Sequence, residues 1–212
     1  LYDPANVSGV VPPQDTAEVP VAPPELTKTL VGTSIVQGNN INTTAVIGEL
    51  ATYQLVVRVP EGVTNGFQIV DLLPAGMAFV DVQSVSFDAN ITSTLTPGTG
   101  TAPANVSVAN NGGQVTFDFG NVTNSNNTAN GTDPNNRITL VFRAVVLNTT
   151  GNVAGTSLVN RARGDYDDAA GNDLSTGLIS APAVSVIEPR ITAAKSYTLT
   201  GTGASTGNGT SN

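Results

Sequence analysis

Three polar side chains stand on strand faces that the surrounding residues mark as apolar, and together they hold the parts of one covalent reaction. In an extended strand alternate residues share a face. By that parity Lys28 points with Leu26 and Leu30, Asp71 with Phe67, Ile69 and Leu73, and Asn160 with Leu158 and Ala162, while Arg161 and Arg163 point away. Burying an ammonium or a carboxylate without a partner costs several kcal/mol, so such groups persist in a core only by satisfying or consuming one another. Desolvation lowers a lysine pKa and raises an aspartate pKa, which favours a neutral amine beside a carboxylic acid. That amine is a nucleophile. It could attack the side-chain carboxamide carbon of Asn160 while protonated Asp71 donates to the amide oxygen and relays protons until ammonia leaves, giving an intramolecular Lys–Asn isopeptide bond. Such a reaction runs once on the chain itself, so the chain is not read as an enzyme. The alternative keeps the same residues without a bond: Lys28 snorkels from an edge strand, Asp71 caps a turn, and Asn160 is a hydrogen-bonded buried amide.

Positioning three such groups requires strands, and the sequence supplies them. Tyr53, Leu55, Val57 and Val59 alternate with Gln54 and Arg58. Val115, Phe117 and Phe119 alternate with Thr116 and Asp118, and Ile138, Leu140, Phe142, Ala144 and Val146 alternate with Thr139 and Arg143. Strict alternation marks a strand buried on one face. Further strands are expected at 66–73, 79–88, 156–163 and 182–188, with turns at Pro60-Glu61-Gly62, Pro74-Ala75-Gly76, Asn111-Gly112-Gly113 and Asp133-Pro134-Asn135. About eight to ten short antiparallel strands between Gly/Pro/Asn turns predict an all-β, immunoglobulin-like two-sheet β-sandwich.

Composition narrows the function classes. The chain of 212 residues carries a formal net charge of −8, which repels nucleic acid and anionic membrane surfaces. It has no Cys and no His, so disulfides, metal–thiolate sites and the usual general base are all excluded. No apolar run is long enough to span a bilayer, and the start at Leu1 reads as processed or excised. With no Trp and four Tyr there is little stacking surface for sugars, and Asp167 and Asp168, adjacent in sequence, face apart on a strand, which argues against a carbohydrate-binding or hydrolytic module. Asp165, Asp167, Asp168, Asn172 and Asp173 are hard oxygen donors of the kind calcium prefers, and the oxygen-rich stretch Asp118 to Asn136, with Asp133, could complete a shell if it lies at the same end of the sandwich. Ca²⁺ binding and a plain solvated acidic loop are the two readings of that segment; no other cofactor is expected. Nine Asn-x-Ser/Thr sequons, at Asn6, Asn42, Asn90, Asn105, Asn121, Asn126, Asn130, Asn148 and Asn208, fit an extracellular Asn- and Thr-rich composition.

The only other lysine repeats the setting of the first. Pro24-Glu25-Leu26-Thr27-Lys28 is echoed by Pro189-Arg190-Ile191-Thr192-Ala193-Ala194-Lys195, and the insertion of two residues before Lys195 preserves the inward parity. Residues 1–24 therefore read as a Pro-rich arm or linker, 25–190 as one complete domain, and 191–212 as the strand opening a following repeat, with a flexible tail.

The segments Glu25-Leu26-Thr27-Lys28, Gly48-Glu49-Leu50-Ala51-Thr52-Tyr53, Val70-Asp71-Leu72-Leu73-Pro74-Ala75-Gly76, Ile138-Thr139-Leu140-Val141-Phe142-Arg143 and Leu158-Val159-Asn160-Arg161-Ala162 resemble successive blocks of the repeat domains of bacterial surface proteins and of fimbrial isopeptide-forming domains. The resemblance covers roughly residues 24–190. It implies immunoglobulin-like beads in tandem on an extracellular adhesin, pilus or surface-layer protein, with neighbouring repeats or copies as partners. It also implies that Lys28 is the nucleophile, Asp71 the promoting acid and Asn160 the acceptor. An alternative of a different class is a polymer subunit that assembles by strand exchange, lending residues 191–200 or the Pro-rich arm to a neighbour.

Overall fold

The computed structural model describes residues 22–126, 136–188 and 194–196. In chain order the strands are β1 (Glu25–Thr33), β2 (Thr44–Ala45), β3 (Leu50–Arg58), β4 (Gly62–Leu72), β5 (Met77–Phe87), β6 (Ile91–Ser93) and β7 (Val106–Ala109). They continue with β8 (Gln114–Asn124), β9 (Arg137–Val146), β10 (Ser157–Leu158), β11 (Arg161–Asp167), β12 (Asp173–Ser175), β13 (Ile179–Ser180) and β14 (Val184–Val186). They build an all-β, immunoglobulin-like antiparallel sandwich. One sheet has the order β1-β3-β9-β5; the other runs β12-β11-β4-β8-β6, with β13 also on β11 and β7 on β8.

The most strictly alternating sequences form the centres of the sheets. Along β3 and β9 every second residue is buried, from Ala51 to Val57 and from Ile138 to Val146, and the two strands pair without a register shift. Their inward rings meet those of the opposite sheet: Phe142 lies 5.6 Å from Tyr53 on its own sheet and 5.5 Å from Phe117 on β8, while Phe67 on β4 lies 5.7 Å from Phe119. Each buried ring contributes about 1.5–3 kcal/mol through removal of apolar area from water. The same parity that buries these rings carries Lys28, Asp71 and Asn160 inward.

Two features depart from the expected pattern. Residues 156–163 are not one strand: β10 pairs with β14, and β11 pairs with β4 in the second sheet. Val159 and Asn160 span the gap between them. A third, small sheet of order β10-β14-β2 results, and within it β14 runs parallel to β2. It closes one end of the sandwich. Six of the strands are two or three residues long, which is why the described residues hold more of them than the sequence suggests.

The chain passes through the sandwich from end to end. β1 begins where Glu25 lies opposite Arg58 and Arg58 opposite Arg137, at the near end. The chain leaves the body at the far end, where the Ile187 amide bonds the Ala45 carbonyl and the Gly48 amide bonds the Val146 carbonyl. Residues 1–21, the Asp133-Pro134-Asn135 turn, 189–193 and 197–212 lie outside the described residues. Ala194, Lys195 and Ser196 are exposed, and the residues on either side of them that would set the parity of Lys195 lie outside the described residues. Among the described residues no helix is long and apolar enough to cross a membrane.

Candidate functional site: a buried lysine, aspartate and asparagine

Lys28 sits on β1, the edge strand of the first sheet, opposite Leu55. Beyond that edge β1 packs against β11 and β13 of the second sheet, so its inward face looks into the seam between the sheets. Asp71 lies on β4, flanked by Ala162 of β11 and Val115 of β8. Asn160 immediately precedes β11 and is fixed there by its carbonyl, which accepts from the Ala181 amide at 3.0 Å. Three segments far apart in sequence thus deliver one polar side chain each to a single buried place.

The local geometry is that of an incomplete polar cluster. The Lys28 and Asp71 side chains have no exposed surface, and Lys28 Nζ donates to Asp71 Oδ2. Nζ also stands 5.2 Å from the Tyr53 ring centroid and 5.0 Å from that of Phe142, so the amine is held between two aromatic faces. Asp71 Oδ1 and both polar atoms of the Asn160 carboxamide are buried with no hydrogen-bond partner. Each such atom costs about 1–3 kcal/mol, so the group is expensive as it stands. The snorkelling, turn-capping and satisfied-amide alternatives do not describe it: Lys28 does not reach solvent, Asp71 holds no backbone amide, and Asn160 is unsatisfied.

Burial also sets the protonation states. Desolvation pushes the Lys28 amine below the usual lysine range, against the opposing pull of Asp71. Desolvation likewise pushes the Asp71 carboxyl above the usual carboxylate range, against the pull of Lys28 and of the neighbouring Asn160 amide. That amide lies against the carboxyl without forming a well-shaped hydrogen bond. Both directions favour a neutral amine beside a carboxylic acid, the pairing that nucleophilic attack on an amide needs. Tyr53, whose hydroxyl lies 3.6 Å from Met77 Sδ, is held neutral chiefly by burial.

The acidic loop is arranged differently. Asp165 is gripped by the Arg163 guanidinium at 2.8–3.1 Å. Asp168 turns back on its own hairpin, accepting from the amides of Ala170 and Asn172 and from Asn172 Nδ2, each at 2.8 Å. Asp167 pairs across to Asn65 on β4 as well as to Asp173 on β12. These residues do not converge, and among the described residues no group of three or more carboxylates is placed to hold a metal ion. Asp118 accepts from the Gly120 amide at 2.9 Å, and Asp133 lies outside the described residues. Of the described sequons, Asn42, Asn105, Asn121 and Asn148 are exposed.

One buried carboxylate was not singled out from the sequence. Glu49 is 2% exposed and accepts from the amides of Ile35 and Val46 and from Asn40 Nδ2 at 2.8–3.0 Å, stapling the loop between β1 and β3. Its parity with Ala51, Tyr53 and Leu55 was the available signal, masked by the turn at Gly48.

No protein-family model matches this sequence, and no curated protein matches it. Among solved structures it is similar to the full-length major pilin SpaD of Corynebacterium diphtheriae, at 15% identity over 76% of this chain and 34% of that one, with a TM-score of 0.45. It is similar also to a 35 kDa C-terminal fragment of the major pilin GBS80 of Streptococcus agalactiae, at 14% identity over 78% and 56%, with a TM-score of 0.46. A third is the major pilin subunit BcpA of Bacillus cereus, at 16% identity over 77% and 40%, with a TM-score of 0.37. The chain thus spans between about a third and just over half of these proteins.

Proposed function

We propose that the chain is a load-bearing structural module of an extracellular surface protein or filament, and that its first strand is tied to the start of β11 by a Lys28–Asn160 isopeptide bond. The observation that carries this reading is the Asn160 carboxamide, fully buried with neither polar atom satisfied, beside a lysine and an aspartate that burial drives toward neutrality.

In the reaction the neutral Lys28 amine attacks the Asn160 side-chain carbonyl carbon while the Asp71 carboxyl donates its proton to the amide oxygen. The tetrahedral intermediate collapses as Asp71 moves a proton from Lys28 Nζ to Asn160 Nδ2. The carbon–nitrogen bond to Nδ2 breaks, ammonia leaves, the proton on the oxygen returns to Asp71 as the carbonyl re-forms, and Asp71 ends protonated as it began. One C–N bond forms and one breaks, so neither oxidant nor cofactor enters. The chain acts on itself once and has no turnover. Loss of the amide nitrogen removes one of the three unsatisfied polar atoms, and the buried amine becomes an uncharged secondary amide, which supplies a thermodynamic reason for the cluster. Partners on this reading are neighbouring repeats or copies of the same surface protein.

The intact mass of the purified, unglycosylated chain tests the bond. A mass lower than the sequence value by one ammonia is expected, with the deficit absent in Lys28→Ala and in Asn160→Ala after allowing for each substitution. A mass equal to the sequence value in the parent chain overturns the covalent reading.

A further inference from the structure

The far end of the sandwich is apolar where a free surface should be polar. Val31, Ile35, Val36, Ile41 and Ile47, all on or beside the β1–β3 loop, are between 38% and 61% exposed, and among the described residues they are nearly half of the large hydrophobic side chains that face solvent. The loop carrying them is not slack. Glu49 fastens it through Ile35, Val46 and Asn40, and Gln37 and Asn40 exchange backbone hydrogen bonds at 3.0 and 3.1 Å. An open groove of about 530 Å³ lies beside it, lined by the apolar Ile35, Val46 and Ile187 and by the polar turn 37–40 and Glu188. Rigidly presented apolar side chains around a groove are a docking surface.

The groove wall identifies the occupant. Ile187 and Glu188 close the described stretch 136–188, and the sequence pattern that opens β1, Pro-x-Leu/Ile-Thr, begins again at the very next position with Pro189-Arg190-Ile191-Thr192. In this body the corresponding Glu25 already pairs in the sheet. By that sequence correspondence a single proline, Pro189, separates Glu188 from Arg190, the counterpart of Glu25. A joint that short brings the two bodies into contact, and the surface at the joint is this apolar loop with the mixed polar and apolar groove beside it. We propose that the far end of this domain docks the near end of a following domain of the same kind, so that consecutive beads form a stiff rod and not a flexible string. This rests on the tandem-module reading above.

The chain contains no Trp, so a single introduced one reports burial unambiguously. Ile35→Trp in the full chain is compared with Ile35→Trp in the first copy of a tandem protein in which a second copy, from Pro24 to Asn212, directly follows Glu188. Docking predicts a blue-shifted emission and a severalfold drop in acrylamide quenching in the tandem relative to the single chain. Val63→Trp in the first copy, exposed at the near end, should show no change and serves as the folding control. Adding Ile41→Asp should restore quenching at position 35 while leaving the Val63→Trp signal and the melting of the single chain intact. Equal quenching of Ile35→Trp in the single and tandem proteins overturns the docked joint. The ammonia deficit reports the covalent tie separately: with the deficit present and quenching equal, the module reading stands and only the docking fails; with the deficit absent, the covalent reading fails whatever the quenching.

Discussion

Replacing Lys28 with Ala removes the nucleophile, and the size of the effect follows from where the tie would sit. A bond from Lys28 to Asn160 closes a loop of about 130 residues, and the loop-entropy relation for a cross-link of that size gives about 5 kcal/mol at 25 °C through restriction of the unfolded chain. For a domain of this length each kcal/mol moves the melting temperature by about 2–4 °C, so a fall of about 10–20 °C is expected. Differential scanning calorimetry, run beside intact mass, measures it. Lost packing alone would also lower the melting temperature, so the decisive quantity is the double variant. Because either single substitution abolishes the whole cross-link, Lys28→Ala with Asn160→Ala should melt close to the worse single variant, some 5 kcal/mol short of additivity. Additive losses in the double variant, with no mass deficit in the parent, would refute the reasoning.

Asp71→Asn should leave the sandwich folded but stop the reaction, giving a parent-like fold by circular dichroism and a mass at the full sequence value. Glu49→Ala removes three hydrogen bonds from a buried carboxylate and leaves two part-buried backbone amides and a buried amide side chain unpaired; a loss of about 2–3 kcal/mol is expected, with hydrogen exchange at the Ile35 and Val46 amides accelerating first. Gly76→Ala should cost about 1–3 kcal/mol in urea melts, since φ there is 99° and a Cβ would collide with the Asn152 carboxamide that ties the Gly76 and Leu147 carbonyls. Asp81 is held below the usual carboxylate range chiefly by its hydrogen bond to Arg143. A depressed folded pKa means the pair stabilises above the ordinary Asp value and ceases to do so as pH falls through the depressed one. Asp81→Asn should therefore cost about 1 kcal/mol at neutral pH and nothing in strong acid, as read from melting against pH.

Parity carried most of what the sequence revealed. β3, β8 and β9 were legible because both faces of each strand have unambiguous chemistry, and the same counting turned Lys28, Asp71 and Asn160 inward. Counting within a strand says nothing about which strand comes next to it. The break between Leu158 and Arg161 preserves parity on both sides, so the change of sheet left no trace in the alternation. The parallel pairing of β14 with β2 joins short segments far apart in the chain, and neither has a periodicity long enough to read. Glu49 shows the converse failure, since its parity was plain but the glycine before it marked the position as a turn.

The passage of the chain from near end to far end determines how the molecule answers a pull. Tension applied at the two termini draws β1 lengthwise along β3, so that all the hydrogen bonds of that pair are loaded together and none opens first. A link between Lys28 and Asn160 would take the load before the pair slid, and everything between those residues would be bypassed. That segment, drawn out fully, would measure on the order of 450 Å. A fibre of such units would be nearly inextensible, yielding only by the few residues before Lys28 and those after Asn160, and its length under flow or drag would stay close to its length at rest.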